Sequence, residues 1–347
     1  MKPIKVGVVG IGHMGKYHVK CYHDIPGVSL TAIADVNESN LSEMAKEYGA
    51  TPYLDYSQVY DNVEAVSIAV PTRLHYPIAK DFLNAGIHVL LEKPITQDIK
   101  EAEELMSIAQ KKNLVLQVGH VERFNAAIWE LKKVLNNPLF VECRRLGPFN
   151  TRIDDAGVVM DLLIHDIDIV LNLIDSAVVE LHAVGTRVYS SYEDIANVQI
   201  IFANGCIANL TASRATENKI RTLAITQPDA YIFLDYAEQD IHIHRQTTGN
   251  YILTHDTVGY QQRSVIERVF VHKDNPLKLE LSHFLSCIAN ETKPLTTPED
   301  DLTALRITLS VLEQIKARTQ ADSSAKTDSE TSLIPLPSKE GTGVVFS

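Results

Sequence analysis

The sequence predicts an α/β protein of two domains: a doubly wound parallel sheet at the N-terminus, then an α+β domain with a large, open, mostly antiparallel sheet. Three observations predict it. Short apolar runs alternate with amphipathic stretches through the first third of the chain. A G-x-G-x-x-G turn joins the first apolar run to the first helical pattern. Beyond residue 120, strand-like runs follow one another with few helices between them. The length of 347 residues exceeds one ordinary core and suits two.

The parallel sheet is read from apolar runs at residues 4–9, 30–34, 65–70, 89–91 and 114–118. Such near-continuous hydrophobicity suits strands covered on both faces. Between the last two, residues 98–110 place Ala102, Leu105, Met106 and Ala109 at helical spacing with charges opposite, a crossover helix. The glycine turn is Gly10-Ile11-Gly12-His13-Met14-Gly15. Gly10 permits the tight turn, Gly12 lets the backbone approach a pyrophosphate, and Gly15 lets helix and strand pack closely, while the helix N-terminus offers N–H groups and positive potential. Asp35 closes the next apolar run, about 20 residues on, where a carboxylate accepts from the adenosine ribose hydroxyls. These features predict a Rossmann domain over residues 1–120. Asp35 would oppose the 2′-phosphate of NADP, and Val36, Asn37 and Glu38 bring no cation to neutralise it, so the predicted cofactor is NAD.

The third apolar run ends in Ala69-Val70-Pro71-Thr72 and the fourth in Leu91-Glu92-Lys93-Pro94, so both deliver side chains to the carboxyl edge, where such sheets bind ligands. The cofactor set is therefore Gly10, Gly12, His13, Met14, Gly15, Asp35, Val70, Pro71, Thr72, His75, Glu92 and Lys93. Lys93 has two readings: a functional ammonium aimed by the restrained backbone at Pro94, or a solvated lysine paired with Glu92.

The second domain is expected over residues 121–320. Residues 157–174 read as a largely buried helix carrying Asp161, His165, Asp166 and Asp168. The i, i+4 spacing of Asp161 and His165 puts them on one face, where the acid could orient the imidazole. The alternative is a capping or core-satisfied histidine; the several embedded acids weigh against it, because buried carboxylates need partners. Strand-like runs follow near 139–145 and at 178–188, 197–202, 206–212, 222–226, 230–234 and 241–244. One face of that sheet should carry helices, and the other suits a homo-oligomer interface, dimer or tetramer. One late helix starts at Pro276 with Leu277, Leu281, Phe284, Leu285 and Ile288 on a stripe; another starts at Thr297-Pro298-Glu299-Asp300. Residues 321–347 have a composition unable to bury enough to order itself, and read as a disordered tail.

Apolar residues at 45% and charged residues at 22% exclude global disorder. A net charge of −12 with no basic run argues against nucleic-acid or anionic-membrane binding. The chain shows no signal-peptide pattern and no long apolar span, so a cytoplasmic location is expected. Cys21, Cys143, Cys206 and Cys287 lack metal or redox spacing and read as packed, reduced thiols. His242 and His244 alternate on one run but have no third ligand nearby, so no metal is expected.

Taken together, the glycine fingerprint, Ala69-Val70-Pro71-Thr72, Glu92-Lys93-Pro94 and Asp161-x-x-x-His165 resemble the glucose-fructose oxidoreductase/inositol dehydrogenase/MocA family over about residues 1–320. The resemblance implies an NAD-dependent dehydrogenase in which Lys93, Asp161 and His165 form the catalytic group. A narrower similarity, to the UDP-N-acetylglucosamine 3-dehydrogenases, rests on residues 118–125, Arg145-Leu146-Gly147-Pro148, Arg152-Ile153-Asp154-Asp155 and residues 161–168. It implies oxidation of the sugar C3 hydroxyl to a 3-keto nucleotide sugar, consumed by a partner aminotransferase on the way to lipid A or surface polysaccharides. A diphosphate needs cations, for which Arg123, Arg145, Arg152 and Arg214 are candidates, and the substrate set is Lys93, Arg123, Asn125, Arg145, Arg152, Asp161 and His165. In this reading His165 removes the hydroxyl proton and Lys93 stabilises the developing charge on the same oxygen. Two other functions fit: a different sugar or cyclitol dehydrogenase, and an NAD- or ligand-sensing regulator without turnover, for which a proton-transfer group has no use.

Overall fold

The computed structural model describes residues 3–150, 156–246, 250–254, 257–261 and 264–328. The N-terminal part runs β1 (Ile4–Val9), α1 (His13–Asp24), β2 (Val28–Ala34), α2 (Glu38–Tyr48), β3 (Thr51–Tyr53), β4 (Ala65–Ile68), α3 (His75–Asn84), β5 (His88–Glu92), α4 (Ile99–Lys111) and β6 (Leu116–Gly119). Its strands form one parallel sheet in the order β3-β2-β1-β4-β5-β6. All four residues of β4 and of β6 are buried, as the unbroken apolar runs require. Short polar residues start the helices: Asn37 accepts from the Asn40 amide at α2, and Asp98 from the Lys100 and Glu101 amides at α4. The edge strand β3, three residues with Pro52 at its centre, is too short to give a periodic signal and is absent from the sequence reading.

The second part runs α5 (Ala126–Val134), β7 (Phe140–Leu146), a π-helical turn (Val159–Leu163), α6 (Ile164–Leu173), β8 (Val178–Thr186), β9 (Ile195–Phe202), β10 (Ile207–Ser213), β11 (Ile220–Gln227), β12 (Ala230–Asp235), β13 (Asp240–Gln246), β14 (Asn250–Thr254), β15 (Thr257–Gln261) and β16 (Ser264–Val269). Eight strands form one sheet in the order β16-β13-β12-β11-β7-β10-β9-β8, antiparallel except for the β10–β7 pair. Its inward residues, among them Val141, Cys143, Val198, Ile200, Leu210, Leu223 and Ile225, share one core with Ile167 and Val170 of α6. The outer face carries polar cross-strand pairs: the Asn197 amide donates to Thr211 Oγ1 and the Gln199 amide to Asn209 Oδ1.

The last two helices depart from the expected division at residue 120. In α7 (Pro276–Asn290), Leu277, Leu281, Phe284 and Leu285 pack with Val6, Val8, Val19 and Ile33 of the parallel domain. In α8 (Pro298–Asp328), Leu302 and Leu305 join Val89, Leu91 and Val118, while Ala304, Val311 and Ile315 join the core of the large sheet. The chain thus returns to its first domain, and α8 splints the two parts. Helix α8 also runs to Asp328, past the tail boundary expected at residue 320; residues 329–347 lie outside the described residues. The four cysteines are free and buried.

Helix α7 carries one buried acid to the parallel domain. Glu280 is 0% exposed and neither carboxyl oxygen has a partner among the described residues. Burial, and then the charge of Glu92, hold its pKa well above the ordinary carboxylate value. The folded state therefore binds more protons than the unfolded one between those two values, and stability falls as pH rises through that window. Glu280→Gln is expected to remove this fall and to stabilise the protein at pH 8 by at least about 1 kcal/mol, one pKa unit being worth about 1.4 kcal/mol. Urea denaturation of both proteins at pH 5 and pH 8 measures it, and equal pH slopes would refute the assignment.

Candidate active site

At the carboxyl edge of the parallel sheet, Gly10 has φ +87°, and a Cβ there would lie 2.5 Å from the Ala69 carbonyl oxygen. A Cβ on Gly15 would lie 1.8 Å from the Gly10 carbonyl oxygen, whereas one on Gly12 would meet nothing within 4 Å. Two glycines thus serve the packing, and the third leaves open space at the N-terminus of α1. No side chain caps that helix and no acid occupies its first turn, so its N–H groups and positive potential are left for an anion. Asp35 Oδ2 accepts from the Ile11 amide at 2.5 Å and Oδ1 from the Asn37 amide at 2.8 Å, which fixes the carboxylate at the end of β2. A cavity of about 460 Å³ lies beside it, lined among others by Val36, Leu54, Val70, Pro71 and Leu74. Glycine turn, uncapped helix, oriented acid and apolar slot fit the pyrophosphate, ribose and adenine of a dinucleotide.

The remaining cofactor-edge residues divide. His13 is exposed, edge-on to Tyr17 at 5.2 Å, and Met14 and Thr72 are half-buried. His75 is buried, with its ring nitrogens 2.7 Å from the Pro94 carbonyl oxygen and 2.9 Å from that of Val70. With a backbone carbonyl beside each ring nitrogen, His75 ties the ends of β4 and β5 together. Glu92 meets His18 Nε2 at 2.9 Å. Burial alone would raise its pKa, but the His18 contact and the charges of His18, Lys93 and His75 lower it.

The end of β5 meets the π-helical turn. Lys93 Nζ donates to the Asp161 carbonyl oxygen at 2.7 Å and lies 3.6 Å from Asp161 Oδ1. The sequence spacing relates Asp161 to His165; Asp161 lies in the π-helical turn, and its carboxylate pairs with Lys93 across the domain seam. His165, on the first turn of α6, is half-buried, and its Nδ1 has no partner among the described residues. Burial, then the positive charges of Lys93 and Arg145, push its pKa well below the ordinary imidazole value. A neutral imidazole beside a cationic amine is a base and an electrostatic partner in one cleft.

The expected phosphate-binding arginines are occupied elsewhere. Arg123 is bidentate to Asp168 through Nε and Nη2, and its Nη1 donates to Asp300 at 3.0 Å. Arg145 is bidentate to Asp166 and donates to Glu122 at 2.9 Å. Arg214 donates to Asp194, Ser190 and the Ala156 carbonyl oxygen. All three are buried, and Asn125 is too: it caps α5 and donates to the Tyr236 carbonyl oxygen. Two acids singled out on the buried helix, Asp168 and Asp166, are the partners of two arginines expected for substrate, Arg123 and Arg145, and each answers the other's need. Arg152 lies outside the described residues. The sequence reading missed His120: fully buried, it meets Asp301 Oδ1 at 2.5 Å and lies 3.5 Å from Asp168 Oδ2. Burial lowers its pKa, but Asp168 and Asp301 more than offset that and raise it. It also missed Arg221, whose side chain meets no carboxylate among the described residues.

Comparison with known proteins fits this geometry. Residues 4–120 match the family model described as oxidoreductase family, NAD-binding Rossmann fold, and residues 136–230 match the GFO/IDH/MocA C-terminal domain. Over 287 residues the chain is 34% identical to a UDP-N-acetylglucosamine 3-dehydrogenase of Acidithiobacillus ferrooxidans, covering 82% of this chain and 89% of that one. A solved structure of that enzyme superposes with a TM-score of 0.83 at 32% identity, covering 91% of this chain and 99% of the other. A myo-inositol 2-dehydrogenase of Thermotoga maritima is 25% identical over 321 residues, 87% of this chain and 93% of that one.

Two outcomes follow from the geometry. Asp35 disfavours a 2′-phosphate, so the Michaelis constant for NADP should exceed that for NAD, and Asp35→Ala should narrow the gap; steady-state kinetics with both cofactors decides it. Arg123→Ala strips Asp168 of its bidentate partner in a buried setting and should destabilise the fold by roughly 3–5 kcal/mol in urea denaturation. A normally stable Arg123→Ala protein with a raised substrate Michaelis constant would instead return Arg123 to the substrate site.

Proposed function

We propose, because the chain belongs to the GFO/IDH/MocA oxidoreductase family, that its reaction is the NAD-dependent oxidation of a secondary hydroxyl on a sugar, at C3 of UDP-N-acetylglucosamine. One observation carries the substrate reading: the 34% identity to a UDP-N-acetylglucosamine 3-dehydrogenase, spread over 89% of that protein. The contact of Lys93 with Asp161 beside a neutral His165 supports the chemistry.

NAD would be held by the α1 N-terminus, the glycine turn and Asp35, and would supply the hydride acceptor. The chain's own residues handle the proton. The carbonyl and carboxylate of Asp161 hold the Lys93 ammonium in place and leave part of its donor capacity for the substrate hydroxyl oxygen. As the carbinol loses its hydrogens, negative charge develops on that oxygen, and Lys93 stabilises it. His165 takes the hydroxyl proton, which its depressed pKa permits at neutral pH because the ring stands deprotonated. The product is a 3-keto nucleotide sugar, a carbonyl compound suited to a pathway aminotransferase.

A second reading, a cyclitol dehydrogenase, has its own support in the inositol dehydrogenases that align over most of the chain at 24–25% identity. Offering UDP-N-acetylglucosamine, free sugars and inositols with NAD separates the two. The expected result is reduced-cofactor absorbance with the nucleotide sugar and a product lighter by two hydrogens; faster turnover of an inositol would overturn the substrate. Lys93→Ala and His165→Ala should each bind NAD as the parent does yet lose at least about a hundredfold in turnover. Unchanged turnover in both would end the assignment of roles.

A further inference from the structure

Arg221 sits directly opposite Arg145 in the antiparallel pairing of β11 with β7. Directly opposed residues of an antiparallel pair point to the same face of the sheet. Arg145 turns its side chain to Asp166 on α6, so Arg221 also faces the side of the sheet covered by the helix that carries His165. The next inward residues of β11, Leu223, Ile225 and Gln227, are buried, whereas Arg221 is only half-buried, at the strand end nearest the seam.

The two arginines differ in their partners. Arg145 is neutralised by Asp166 and Glu122. Arg221 donates through Nη1 to the carbonyl oxygens of Leu146 at 2.7 Å and Ile220 at 3.1 Å, while its Nε and Nη2 have no partner among the described residues. Those two backbone contacts fix one edge of the guanidinium and leave the other presented. Burial and the neighbouring charge of Arg145 disfavour its cation as it stands. Arg145 holds both nearby carboxylates at salt-bridge distance, so the open Nε–Nη2 edge of Arg221 is the part of the pair left to receive a further anion.

We propose that Arg221 is the residue that binds the phosphate-bearing part of the substrate, its free Nε–Nη2 edge taking two phosphate oxygens. The proposal rests on the nucleotide-sugar reading above and names the cation that the paired arginines cannot provide.

The test measures binding of UDP and of inorganic pyrophosphate to the NAD-saturated protein, so that the cofactor's own pyrophosphate site is filled, alongside kinetics with UDP-N-acetylglucosamine. Arg221→Gln should weaken UDP and pyrophosphate binding, and raise the sugar nucleotide KM, by about ten- to hundredfold, the worth of a charge-assisted bidentate contact. Turnover number and NAD affinity should change little, a split that a general loss of folding would not give. Arg221→Lys keeps the charge without the planar fork and should fall between the two; it decides the matter if the glutamine variant fails to fold. Equal binding by parent and Arg221→Gln, or a parent that binds neither probe, overturns the proposal. A parent that leaves UDP-N-acetylglucosamine unoxidised yet binds pyrophosphate through Arg221 would sink the substrate reading and keep this one.

Discussion

The position of the candidate cleft depends on a chain of charges running across the domain seam, buried up to its exposed last member: Asp301 to His120, His120 to Asp168, Asp168 to Arg123, and Arg123 to Asp300. Its members come from the end of β6, the turn after it, α6 and the first turn of α8. Each desolvated ion is costly alone, and the Coulomb return offsets that cost only when the geometry is good and the lone pairs are filled. Here Asp301 also accepts from the Ile95 amide, and Asp168 receives a bidentate guanidinium. Such a network admits few alternative dockings of α6 on the parallel sheet. Because His165 rides on α6 and Lys93 ends β5, the network fixes the separation of the two groups on which the proposed chemistry relies.

Much of the fold is legible in the sequence because the strong signals are local. Apolar runs, the glycine turn and the acid after β2 each carry their meaning within about 20–30 residues. The parallel sheet follows from them, including the carboxyl edge where Val70, Pro71, Glu92 and Lys93 emerge. Less legible are features whose cause is distant. Helix α7 reads plainly as a helix, yet nothing in its own stripe of leucines says that they pack on Val6 and Ile33 rather than on the adjacent sheet. β3 escapes because three residues cannot show a period.

The candidate site divides along the same line. Lys93, Asp161 and His165 were readable as chemically apt residues at strand and helix ends. Their mutual arrangement was not, since helical spacing relates Asp161 only to His165, while the contact of Asp161 with Lys93 joins residues 68 apart in the chain. For the arginines, sequence displays charges without partners. Asp166 and Asp168 were correctly seen to need cations, and Arg123 and Arg145 to need anions, but only the fold joins the two lists. Arg221 drew no attention because it looks like any arginine near a strand end; what distinguishes it is a guanidinium edge with no partner among the described residues.

The same contrast explains how the seam separates structural from chemical charge. Groups that are wholly buried are neutralised in place: Arg123, Arg145 and Arg214 each meet at least one carboxylate, and His120 meets two. Where the cleft opens, neutralisation is incomplete. Lys93 shares Asp161 at 3.6 Å while its shorter contact goes to a carbonyl oxygen, and His165, hemmed by positive charge, is held uncharged. A cation that lacks full compensation next to a base that resists protonation creates an electrostatic demand for negative charge on an oxygen placed between them. An alcohol losing its proton meets that demand, and it does so only as the reaction proceeds, which is the condition for stabilising a transition state above a ground state.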